Sequence, residues 1–155
     1  MKHYMRKTLP EEFFNHPAYL RALTLGSVYC FLAVMQLFTF EKFYPVVLQY
    51  MLPGGWVLAF IVTGLIPVLE VSALPYLLSM KVSNTTRMLS KYAVLATPAL
   101  WLLLSLWLVF SADMIVESGL MGATLPVPSG LWLVVFSLLL LWSAYLVIKE
   151  LPKRR

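Results

Sequence analysis

Four long apolar runs constrain this chain more than anything else in it. They extend over about residues 19–40, 56–80, 92–112 and 131–148. Each is close to the ~20 residues that an α-helix needs to cross a hydrocarbon layer. A barrel strand would alternate apolar and polar residues over about ten positions, and Leu131–Trp142 shows no alternation. The chain is 61% hydrophobic and only 12% charged, which leaves too little polar sequence to cover four such helices in water. The expected fold is all-α: a four-helix transmembrane bundle, one domain over residues 1–155, without internal repeats.

Charge placement gives an orientation. Basic residues concentrate on the cytoplasmic flanks of membrane helices. Lys2, Arg6, Lys7, Arg21, Lys81, Arg87, Lys91, Lys149, Lys153, Arg154 and Arg155 fall on one side of the four-span layout, and Lys42 alone falls on the other. Both termini are therefore expected in the cytoplasm or its organellar equivalent. The bacterial inner membrane is the expected location, with an organellar inner membrane as the alternative. A net charge of +5 that resides at helix ends suits lipid headgroups rather than nucleic acid, so the expected partners are membrane lipids and other membrane subunits.

The connecting segments carry their own signals. Thr8-Leu9-Pro10-Glu11 has the form of a capping box, and a short interfacial helix is expected over residues 8–16. Asn15, His16 and Pro17 precede the first span. Residues 41–55 contain Phe43, Tyr44, Tyr50 and Met51, read as interfacial belt anchors. Ser129 stands as a possible cap for the last helix.

Redox and metal chemistry find few ligands. Cys30 is the single cysteine, and both histidines, His3 and His16, precede the first span. A disulfide within the chain, a cysteine zinc site and a bis-histidine haem are excluded on this count. No nucleophile–base pair or phosphate loop is evident, so no catalytic residue, metal or cofactor within the chain is expected, although a bound quinone or lipid stays open.

Two features inside the spans invite function. Ala18, Ala22, Gly26 and Cys30 recur at every fourth position, a spacing of small side chains that lets helices approach closely in lipid. Glu70 is the one carboxylate deep within a span, ~15 Å from the cytoplasmic end at ~1.5 Å per residue. Pro67 and Pro75 flank it, each removing an intrahelical bond and suggesting a kink. Glu70 reads as a proton-relay group, a ligand anchor, a contact with a partner, or an internal hydrogen-bonding group. Tyr29 and Gln36 on the first helix are its expected neighbours. Gln36, Ser105, Ser137 and Ser143 are each expected to bond between helices. The last helix, apolar on nearly every face, is expected to meet lipid or another membrane protein.

Several of these residues carry a resemblance. Leu20-Arg21 opens the first helix, Gly26 lies within it and Phe40-Glu41-Lys42-Phe43 ends it; Pro67-Val68-Leu69-Glu70 follows, then a basic loop with Arg87. The pattern, over about residues 17–150, resembles the DoxX/MauE-like small four-helix membrane proteins. The resemblance implies an accessory membrane subunit, linked to quinone-coupled sulfur oxidation, to maturation of periplasmic redox enzymes or to chaperoning of membrane proteins. It makes Arg21, Lys42 and Glu70 the family-like polar positions. The expected function is thus a non-catalytic subunit or assembly factor of a larger membrane complex, with a redox link implied by the resemblance. The alternative is a protein that handles a quinone, a lipid or a proton at Glu70.

Overall fold

In the computed structural model, residues 17–111 and 117–151 are described, and they form five helices. These are α1 (Pro17–Phe38), α2 (Phe40–Leu48), α3 (Gly55–Leu77), α4 (Asn84–Ser111) and α5 (Leu131–Glu150). All but α2 are long and apolar enough to cross a membrane. The sequence expectations for residues 8–16 and for Asn15 and His16 lie outside the described residues.

Helix ends follow local chemistry. Pro17 is the first residue of α1, where its missing N–H would have had no intrahelical partner. α3 runs from Gly55 to Leu77 as one continuous helix with Pro67 and Pro75 inside it. It closes in a Schellman turn: Met80 N–H bonds to Pro75 O at 2.9 Å and Ser79 N–H to Tyr76 O at 3.1 Å, with Ser79 left-handed at φ 49°. α4 begins eight residues before its expected start at 92. Ser83 Oγ accepts the Thr86 N–H at 3.2 Å, an N-cap that extends the helix through the basic turn holding Arg87 and Lys91. A hydropathy window sees only the apolar part of such a helix. Ser129 does not cap α5; Gly130 holds that position, without a side-chain bond.

The long helices pack antiparallel in sequence order, with α3 against α1, α2 and α4, and α5 against α4 and α1. At one end the Arg21 guanidinium meets Glu150 at 2.5 Å, tying the start of α1 to the end of α5. Near the same end the Tyr76 N–H donates to Ser90 Oγ of α4 at 2.9 Å. Two apolar clusters fill the interior. The first, around Tyr29, Ala73, Leu77, Val94 and Ala144, lies toward the Arg21 end. The second, around Phe43, Val47, Ile66, Trp101 and Leu133, lies toward α2.

α2 alters the reading of residues 41–55. Phe43 and Tyr50 are buried in the second cluster rather than anchored in an interfacial belt, and Val46, Val47 and Leu52 join them. The helical turn 40–48 points one face inward, a 3.6-residue periodicity that the aromatic content of the segment had obscured.

Candidate functional site

Between the two clusters lies a polar cluster formed by α1, α3 and α4. Glu70 stands on α3 between Ile66 and Ala73, and is fully buried (0%), as are Gln36 and Trp101. Glu70 Oε1 accepts two hydrogen bonds, from Gln36 Nε2 at 3.3 Å and from Trp101 Nε1 at 3.2 Å. The second N–H of the Gln36 amide goes to Leu120 O at 3.1 Å. Among the described residues two buried acceptors have no hydrogen-bond partner, Glu70 Oε2 and Gln36 Oε1. An ionised carboxylate at such depth costs about 2.5–3.5 kcal/mol unless it is paired or neutralised. Burying it therefore makes a chemical demand that the cluster has to meet.

Of the two expected partners, the structure brings Gln36 to Glu70 but turns Tyr29 elsewhere. The Tyr29 hydroxyl donates to Val94 O at 3.0 Å. Tyr29 lies about two turns before Gln36 on α1, at the level where α4 carbonyls are the nearer acceptors. Trp101 is the partner that sequence reasoning missed. Its signal was present: Thr97, Trp101 and Ser105 share one face of α4 at every fourth position, and a buried indole N–H usually finds an acceptor. The Leu120 carbonyl had no sequence signal.

Leu120 belongs to an outer cap, residues 117–123, that closes over α1 and α2. The Tyr50 hydroxyl donates to Ser118 O at 2.5 Å. The Ala123 N–H donates to Thr39 Oγ1 at 3.0 Å, and that hydroxyl in turn donates to Met35 O. Gly119 and Gly122 are left-handed at φ 58° and 60°. A Cβ at Gly122 would come within 2.5 Å of Thr39 Oγ1 and 2.8 Å of Met35 O, so only glycine lets the cap lie this close. Tyr50 lies outside the spans; its burial, and then the nearby charge of Glu117, raise its phenol above the ordinary tyrosine range.

The remaining candidates separate. Arg21 pairs with Glu150, Lys42 is exposed on the first turn of α2, and neither is a hydrogen-bond partner of Glu70. The three family-like positions thus form no common site. Ala18, Ala22 and Gly26 are buried, as close packing requires, and a Cβ at Gly26 would rest 3.5 Å from Leu77 Cβ. Cys30 is exposed, outside the contact within the bundle, which leaves it the other expected setting, packing against a partner. A four-residue step advances ~40° beyond a full turn, so by Cys30 the row has rotated out of the contact. It opens instead into a groove of about 440 Å³ on the outside of α1 and α3, floored by Gly26, Ser27 and Cys30 and walled by Phe31, Val34, Leu74 and Leu78. Ser105 and Ser137 also depart from expectation, bonding to Leu102 O and Leu133 O of their own helices, as mid-helix serines readily do.

No family model, no characterised protein and no solved structure matches this chain.

Proposed function

We propose that the chain is a non-catalytic subunit or assembly factor of a larger membrane complex, with the basic end of its helices in the cytoplasm of a bacterial cell. The observation that carries this reading is the outer groove between α1 and α3. In lipid, helices gain affinity through close contact at small residues rather than through apolarity itself. Gly26, Ser27 and Cys30 at the groove floor, beneath Phe31 and Val34, offer such a seat to a transmembrane helix of a partner. A redox role for that partner complex rests on the resemblance to DoxX/MauE-like proteins.

Photo-crosslinking in native membranes tests the proposal. A photoreactive residue at Val34, on the groove wall, is expected to capture one discrete protein, while the same group at Leu139, exposed on α5, captures lipid. Ser27→Phe, which fills the groove from an exposed position, should abolish the protein adduct and leave the fold intact. Lipid or quinone adducts alone at Val34 would overturn the subunit reading in favour of a small-molecule groove.

A further inference from the structure

The two unpartnered acceptors of the central cluster can be explained together. Gln36 uses both amide N–H groups, one on Leu120 O and one on Glu70 Oε1, so its orientation is fixed by two acceptors. Its remaining atom, Oε1, is buried and lacks a donor among the described residues, and so does Glu70 Oε2. Two acceptors cannot satisfy each other. One added proton converts one of them into a donor.

We infer that Glu70 and Gln36 form a proton-binding site, in which Glu70 is held as the neutral acid and its Oε2–H donates to Gln36 Oε1. The pair is then reciprocal: the amide N–H donates to one carboxyl oxygen, and the acid O–H donates back to the amide carbonyl. The proton comes from bulk solvent, and no other group changes charge. This inference is independent of the partner proposed for the outer groove.

The surroundings support a neutral acid over a paired carboxylate. α1 presents Tyr29, whose hydroxyl is committed to Val94 O. Glu41 and Lys42 of α2 and Glu117 of the cap are exposed. On α4, Arg87 lies over the Tyr76 ring, and Lys91 stands about 15 Å along the helix from Trp101. Among the described residues the ion pair present is Arg21–Glu150, at the end of the molecule. None of these brings a cation to Glu70, and a buried charge without one is unfavourable.

The outer cap belongs to the site as well. Because Leu120 O holds the second amide N–H, the position of the cap sets the orientation in which Gln36 meets the acid. Displacing the cap should release that orientation.

Infrared difference spectroscopy of the full chain in lipid nanodiscs tests the site directly. Wild type minus Glu70→Gln, a near-isosteric change, is expected at neutral pH to show one protonated-carboxyl C=O band that shifts in D2O and is lost in the variant. Gln36→Met should shift that band toward a weakly bonded carboxyl. Gly122→Ala, which pushes the cap from Thr39 and Met35, should shift it in the same direction without touching Glu70. A difference spectrum containing only carboxylate bands would overturn the proton site, with a charged and hydrated Glu70 in its place. A protonated band unmoved by both Gln36→Met and Gly122→Ala would overturn the reciprocal pairing.

Discussion

Glu70 dictates the identity of its neighbours because an apolar layer offers no water to satisfy them. Gln36 and Trp101 supply N–H donors from two different helices to the same oxygen, which fastens α1 and α4 to α3 at one level. Removing a donor and removing the acceptor have different consequences. Trp101→Phe keeps most of the ring volume and deletes one N–H, so it should cost about 1–2 kcal/mol, read as a lower thermal midpoint in mild detergent. Glu70→Leu instead leaves the indole N–H and one amide N–H buried without an acceptor. It should be the more harmful change, at about 2 kcal/mol or more. Glu70→Gln can accept from both and donate to Gln36 Oε1, so its midpoint should stay near wild type. Equal loss in the leucine and glutamine variants would show that the hydrogen-bond pattern does not govern stability there.

At the scale of elements, the cap and the α1–α3 contact each depend on a close approach. Gly26 lies against Leu77 and Leu78, so Gly26→Leu should force α1 from α3 and lower the yield of folded protein, whereas Leu139→Val on the exposed face of α5 should not. Comparable yields of the two variants would remove the small-residue row from the packing argument. The cap is held in part by the Tyr50 hydroxyl on Ser118 O. Its phenol is raised in the folded protein by burial, so above pH ~10 the unfolded chain releases this proton before the native one does. The native state then binds more protons, and stability falls as pH rises. The difference in unfolding midpoint between wild type and Tyr50→Phe should therefore not change with pH near neutrality, and above about pH 10 the midpoint should decline more steeply in wild type than in Tyr50→Phe. Identical alkaline slopes would exclude Tyr50 as a contributor. These elements also mark where the sequence could be read. Long apolar runs disclosed α1, α3, α4 and α5 because membrane length is a coarse and strong signal. The cap was hidden, since a backbone carbonyl such as Leu120 O leaves no trace in residue identity. Glu70 stood out as a charge among apolar neighbours, and Gln36 as a polar group on the adjacent span. Trp101 blended into an aromatic-rich helix, and Tyr29 looked equally able to reach Glu70 until the turn-by-turn alignment with Val94 was known.

For the whole molecule, the helix arrangement makes charge asymmetry a geometric property. The Arg21–Glu150 pair and the Tyr76–Ser90 bond place the start of α1, the end of α3, the start of α4 and the end of α5 together. Arg21, Lys81, Arg87, Lys91 and Lys149 are consequently at one end, while Lys42 is at the other with Glu41 and Glu117. Positive charge flanking short loops is retained on the cytoplasmic side during insertion, whereas acidic residues contribute little. The basic end should thus face the cytoplasm, with the cap and α2 on the opposite surface. A reporter fused after Arg155 is expected to be active only in a cytoplasmic assay, and one inserted after Leu125, exposed beyond the cap, only in an exported one. Adding lysines beside Lys42 should weaken this preference and produce a mixed population, because it erodes the asymmetry without altering the apolar spans. A C-terminal reporter found outside in the unmodified chain would invert the molecule. The cap would then face the cytoplasm, and with it the Leu120 carbonyl that orients Gln36 toward Glu70.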